Sequence, residues 1–165
     1  MQTERTDAQW RAHLGADAFH ILRERGTESA GSGEYNLLKV TSGHFACRGC
    51  SRPLYSAMAK FESGCGWPAF SRCYQGAVVL RADLEHFNAY GCRVEIICAS
   101  CDGHLGHVFR ELGKTHLGST DERHCVNSLS VRYMPSEPGE ELAEAVVGTE
   151  YDKVLAGALK QLMGL

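Results

Sequence analysis

The chain has 165 residues, 44% of them hydrophobic and 22% charged, a globular composition that excludes disorder and gives one domain a sizeable core. The net charge of −3 speaks against nucleic acid as a partner, and the longest aliphatic run, 77–80, falls far short of the about 20 residues a membrane span requires. The polar opening Met1-Gln2-Thr3-Glu4-Arg5 leads to no apolar segment, so no secretory signal is read and a cytoplasmic location is expected. Residues 7–25 read as helical with a break at Gly15. Thr6 or Asp7 caps the first piece, where Trp10 and Leu14 share a face; Ala18, Ile21 and Leu22 form the stripe of the second, which Gly26 ends. The stretch 26–33, rich in Gly, Ser and Thr, is a loop. Strands are expected at 44–47, 77–81, 93–98 and 125–133. The last rests on an alternation of Val126, Ser128, Ser130 and Arg132 with Asn127, Leu129, Val131 and Tyr133. Pro135, Pro138 and Gly139 mark a boundary. Beyond it, Thr149 with Asp152 resembles a capping box, ahead of a helix whose Tyr151, Leu155, Ala158, Leu159 and Leu162 face the body of the protein.

The cysteines carry more information than the rest of the composition. There are 8, at positions 47, 50, 65, 73, 92, 98, 101 and 125. A short secreted chain would pair them as disulfides; without an export signal, close pairs of thiols point to metal ligation or redox work. Cys47/Cys50 and Cys98/Cys101 stand in a weak internal repeat, C-x-x-C-x-x-x-L, each copy following an expected strand. Two such knuckles supply four thiolates for one tetrahedral ion, and zinc is the expected one. An iron–sulfur centre or two separate redox dithiols would use the same residues. A zinc held by four thiolates has no open coordination position, so the chemistry is expected elsewhere.

Of the other four thiols, two have unusual neighbours. Cys65 lies between Gly64 and Gly66, a mobile setting for a thiol that must move. Cys125 follows Arg123 and His124, whose positive charge lowers a thiol pKa. His104 and His107 follow the second knuckle directly, where a bound metal would anchor them near a thiol. A lone cysteine beside a basic residue is ordinarily just a thiol.

Taken together, S-G-C-G-W-P at 63–68, H-L-G-H-V-F at 104–109 and R-x-C-x-N-S at 123–128 change that reading. With Gly26-Thr27-Glu28, Tyr35-Asn36, Pro53-Leu54 and both knuckles, they resemble the B-type methionine sulfoxide reductases over most of 7–134. The resemblance implies a mainly β fold, a compact core of antiparallel sheets with a four-cysteine zinc site, peripheral N-terminal helices and a C-terminal helix. It implies thiol-dependent reduction of the R epimer of methionine sulfoxide in proteins. Cys125 is then the nucleophile and Cys65 the thiol that resolves its sulfenic acid as a disulfide, which thioredoxin or a similar dithiol recycles. Trp67 receives the substrate's methyl group, Arg123 stands before the nucleophile, and His104, His107 and Asn127 surround the sulfoxide. Cys47, Cys50, Cys98 and Cys101 are the zinc ligands. These residue types suit the chemistry: a thiolate attacks sulfur, an imidazole protonates the departing oxygen, and an aromatic face orients the group.

The chain departs from the family pattern in places. Ser29-Ala30-Gly31 replaces the usual Pro-Phe after Glu28, Arg110-Glu111 follows Phe109, and His124 stands where relatives carry Tyr or Phe. Cys73 and Cys92 match no motif. Residues 7–134 are read as the reductase domain and 135–165 as a helical extension outside the resemblance. A monomer is expected, with no organic cofactor, no nucleic acid and no membrane partner. The rival class is a zinc-stabilised binding module on the same scaffold; it would have lost Cys125 or the histidine pair, and this chain keeps both. A zinc-ribbon nucleic-acid binder would require a basic, aromatic-rich face.

Overall fold

The computed structural model describes residues 4–88, 91–111 and 120–165; the first three residues of the polar amino terminus lie outside them. Two helices open the fold, α1 (Asp7–Leu14) and α2 (Ala16–Glu24), separated at Gly15 as expected. Thr6 caps α1 by accepting the Gln9 N–H, and the Gln9 side chain returns the bond to the Thr6 N–H. Trp10, Ala18, Phe19, Ile21 and Leu22 are buried. Helix α2 closes on Arg25 in the left-handed region (φ 58°), one residue before the expected Gly26.

Strands follow: β1 (His44–Cys47), β2 (Pro53–Ser56), β3 (Lys60–Phe61), β4 (Ala69–Phe70), β5 (Cys73–Tyr74), β6 (Val78–Asn88) and β7 (Gly91–Cys98). They continue as β8 (His104–Arg110), β9 (Glu122–Val126), β10 (Val131–Met134) and β11 (Glu144–Ala145), and α3 (Gly148–Leu162) ends the chain. A six-stranded antiparallel sheet runs β3-β4-β9-β8-β7-β6; β10-β1-β2 and β11-β5 form smaller sheets. The architecture is mainly β, with helices at the periphery. Phe45, Tyr55 and Phe70 fill the space between sheets, Tyr55 stacked on Phe70 at 4.3 Å, and Leu54, Val94, Ile96, Leu105, Val108, Val126 and Val131 complete the core.

Three expectations need correction. The single strand 125–133 is broken: Ser128–Ser130 is a 3₁₀ turn, and β9 and β10 belong to different sheets. Alternation could not reveal the break because it comes from elsewhere in the chain. The Glu28 carboxylate accepts the N–H groups of Ser128 (2.6 Å) and Leu129 (3.2 Å), and the Ser128 hydroxyl accepts the Tyr35 N–H. The capping box at Thr149 is also absent. Helix α3 begins on Val147 with no side-chain cap; Asp152 instead accepts two bonds from Arg110, both 2.9 Å. Tyr151, Val154 and Leu155 are half-buried and Ala158 is buried, packed toward β6 and β7, while Leu159 and Leu162, expected to face the body, face solvent instead.

Candidate active site and metal centre

The knuckles form at the ends of β1 and β7, where each strand turns back on itself. Cys47 N–H donates to Arg52 O and Ser51 N–H to Cys47 O, both 2.8 Å. Cys98 and Asp102 repeat the pattern, donating to Gly103 O and Cys98 O. The residue after each second cysteine is left-handed in both copies, Ser51 at φ 65° and Asp102 at φ 57°. This common turn aims both sulfurs of each pair at the other pair. The four Sγ atoms lie within 4.8 Å of one another, with Cys47–Cys101 and Cys50–Cys98 each 3.6 Å apart. A tetrahedral zinc with sulfur at about 2.3 Å requires sulfurs about 3.8 Å apart, so the cluster is consistent with a zinc site. Leu22 packs against the knuckle glycines, and Arg23 donates to Cys101 O at 2.7 Å, so the N-terminal helices cover the cluster.

The second site is built across the six-stranded sheet. Register places Glu95 of β7, His107 of β8, Cys125 of β9 and Ala69 of β4 in one row. Gly106 keeps this row close, since a Cβ there would sit on the Cys125 carbonyl oxygen. A small pocket of about 100 Å³ opens over the row, lined by Cys125, Cys65, Trp67, Arg123, His107 and Asn127, with Thr27, Arg93 and Phe109. Six of the seven residues expected around the substrate therefore meet in one cavity. His104 does not line it. The His104 ring lies 5.5 Å from that of His107, its Nδ1 is 2.7 Å from Glu95 Oε1, and its buried Nε2 has no partner among the described residues.

Cys125 Sγ lies 3.2 Å from Cys65 Sγ, although the residues are 60 apart in sequence. Arg123 donates to Cys125 Sγ at 2.7 Å; its other donors hold Glu111 Oε1 at 2.8 and 3.0 Å, and its guanidinium lies over Phe109. Two sulfurs at this distance share one proton, so one thiolate forms readily. The hydrogen bond between them is the main cause on both sides: it draws the Cys65 thiol down to about 5 and pushes the Cys125 thiol up. Burial also raises Cys125, and Arg123 opposes that rise. The guanidinium touches Cys125, not Cys65, so we assign the charge to Cys125 when the thiolate is formed.

The surrounding groups are tightly bound. Trp67 donates its indole N–H to Glu28 O at 3.0 Å. Asn127 donates to Leu105 O and accepts the Glu28 N–H, both at 3.0 Å. His107 Nε2 lies 2.8 Å from Asp83 Oδ2, and its Nδ1 is 3.0 Å from Arg93 Nη2. Since guanidinium only donates and carboxylate only accepts, neutral His107 carries its proton on Nε2. Burial, with Arg93 and His104 adding, holds this imidazole down at about 4 against the pull of Asp83. For Asp83, burial works the other way, but hydrogen bonds from His107 and His86 outweigh it and hold the carboxyl at about 2.

Arg93, Asp83 and Glu28 carry no expected role in the sequence reading. Arg93 and Glu95 do leave a trace there, two charges alternating with Val94 and Ile96 in an otherwise apolar strand. Asp83 is legible only through its pairing with Arg93 across β6 and β7. Glu28 lies in a loop 100 residues from Ser128, and nothing local announces their contact.

Comparison with known proteins bears on what such a pocket does. The SelR domain family matches residues 14–135. The chain is 48% identical over 134 residues to peptide methionine sulfoxide reductase B5 of Arabidopsis thaliana, covering 81% of this chain and 91% of the relative. It is 49% identical over 133 residues to the B5 reductase of Oryza sativa subsp. japonica, covering 81% and 92%. It is 48% identical over 132 residues to the chloroplastic B2 reductase of Arabidopsis thaliana, covering 80% of this chain and 61% of that longer protein.

Proposed function

The chain belongs to the peptide methionine sulfoxide reductases of the B type, and from that premise we propose how its own residues carry out the reaction on the R epimer in oxidised proteins. The observation that carries the reading is the pair of sulfurs 3.2 Å apart in one pocket, with Arg123 on Cys125 and Trp67 beside them. The Cys125 thiolate attacks the sulfoxide sulfur, and the oxygen leaves that sulfur for Cys125 with one proton taken from solvent. The products are methionine and a Cys125 sulfenic acid: the substrate sulfur gains two electrons and the cysteine sulfur loses two. His107 delivers the proton, with His104 behind it. The Cys65 thiol then attacks the sulfenic sulfur, forming a Cys65–Cys125 disulfide and releasing water. Thioredoxin or a similar dithiol returns both thiols by exchange.

Cys47, Cys50, Cys98 and Cys101 hold one zinc, which ties β1 to β7 and takes no part in bond making. The reductase domain spans 7–134, with 135–165 as its extension, and the protein works as a monomer. No helix among the described residues is long and apolar enough to cross a membrane. All eight cysteines are unpaired, as suits a reducing compartment such as the cytoplasm. The deciding experiment is single-turnover reduction of peptides carrying separated R and S sulfoxide epimers. Methionine from the R epimer alone is the expected result; equal reduction of both, or of neither, refutes the reading.

A further inference from the structure

A sulfoxide oxygen is a strong hydrogen-bond acceptor, and negative charge grows on it as sulfur is reduced. A pocket that reduces sulfoxides therefore has to present a donor to it. The polar groups lining this pocket can be taken in turn. Arg123 has its donors on Cys125 Sγ and Glu111 Oε1. The Asn127 amide donates to Leu105 O, and the Trp67 indole donates to Glu28 O. The Cys65 thiol faces the Trp67 carbonyl. His107 has its one proton directed at Asp83, and its Nδ1 is already an acceptor. Among the described residues Arg93 keeps the most spare donor capacity, with one N–H on His107 and the other four free of a protein partner; Arg123 keeps two N–H groups, Asn127 one and Thr27 its hydroxyl.

We propose that the Arg93 guanidinium receives the sulfoxide oxygen, as a further catalytic residue of the reaction set out above. The inference rests on that reading. Arg93 is placed for the task. It stands on β7 beside the His107 strand, and its contact to His107 Nδ1 fixes one edge of the guanidinium while the other N–H groups remain for a ligand. Unlike an imidazole held neutral by burial, it is charged at every working pH, so it stabilises charge on oxygen without giving up a proton. Asp83, on the far side of the imidazole, is a positioning residue: by taking the Nε2 proton it keeps Nδ1 turned toward Arg93.

The test compares Arg93→Met, Arg93→Lys and Thr27→Val in the full chain, reading two rates from each. One is methionine formed from an R-sulfoxide peptide in a single turnover. The other is alkylation of Cys125 by iodoacetamide, followed by mass spectrometry, which reports the nucleophile and its surroundings without a sulfoxide. Arg93→Met is expected to slow methionine formation about 10²- to 10³-fold, the cost of losing one donor to a developing oxyanion, with alkylation unchanged. Arg93→Lys restores part of the rate, and Thr27→Val loses little. Arg93→Met reducing as fast as the parent overturns the proposal, as does equal slowing of both rates, which would place Arg93 in the support of Cys125. Loss of reduction in Thr27→Val but not in Arg93→Met would put the oxygen on the hydroxyl instead. A parent that reduces no sulfoxide refutes the enzymatic reading itself, an outcome distinct from a fast Arg93→Met.

Discussion

At Cys125 the local forces pull in opposite directions. Burial and the Cys65 contact favour the thiol, while a guanidinium 2.7 Å away favours the thiolate. Removing Arg123 leaves only the first two. Arg123→Met is therefore expected to raise the pH at which Cys125 becomes reactive and to slow its alkylation at neutral pH by about tenfold or more. A pH profile of iodoacetamide modification checks this, and an unshifted profile would remove Arg123 from thiol activation. The two sulfurs are separable by substitution. Cys125→Ser is expected to lose even the first turnover, because a hydroxyl at this pH is a far weaker nucleophile. Cys65→Ser is expected to form about one methionine per chain and then stall with a dimedone-reactive sulfenic acid on Cys125. Quenched-flow counting of methionine separates the cases, and sustained turnover with thioredoxin would show that Cys73 or Cys92 resolves instead. Cys73 is poorly suited, since burial pushes its thiol up to about 12.

Among the elements, β9 shows what the sequence carried and what it did not. Cysteine spacing, the glycines about Cys65 and the histidine pair were legible because each is a local pattern. The helix break at Gly15 and the strand at 44–47 were legible for the same reason. The turn after Val126 was not, because Glu28 imposes it from across the fold; nor was Arg93, whose importance depends on which neighbouring donors are already engaged. The back of β9 is a second case. Glu122, His124 and Tyr55 are all fully buried, in a chain of contacts from Tyr55 OH to His124 Nδ1 (3.3 Å) and from His124 Nε2 to Glu122 (3.0 Å). The Glu122 carboxylate also accepts the Val147 N–H, at 2.8 and 3.0 Å to its two oxygens. The start of α3, beyond the matched family residues 14–135, is thus fastened to the strand that carries Cys125. Glu122→Ala leaves a buried N–H and an imidazole without their acceptor and is expected to cost about 1–3 kcal/mol or more. Urea unfolding measures it; a loss below a few tenths would mean that water reaches the vacated space.

On the scale of the whole molecule, two buried clusters each have their own signature in stability: one lies within the six-stranded sheet and the other joins it to the three-stranded one. The first is the buried charge around His107. Its folded pKa of about 4 lies below the ordinary 6.5, so as pH falls between those values the unfolded chain binds a proton that the folded chain refuses. Stability therefore drops on acidification through that window, and His107→Gln flattens the slope; an unchanged slope in the variant would show that another group carries it. Asp83, held at about 2 against 3.8, adds a further loss at lower pH. The second feature is the sulfur cluster. Cys47 ends a strand of the three-stranded sheet and Cys98 ends a strand of the six-stranded one, so an ion held by both pairs closes the fold across a chain separation of about 50 residues, where loop-closure entropy is large. Metal binding there is folding free energy. Cys47→Ser and Cys98→Ser are expected to give destabilised or insoluble protein. Zinc analysis of the parent is expected to return about one ion per chain, the stoichiometry of a four-thiolate tetrahedral site. The wild-type chain stripped by a chelator under mild denaturant should unfold at lower urea and recover on adding zinc. Active parent protein without metal, with all four thiols open to alkylation, would show that the knuckles hold the sheets together unaided.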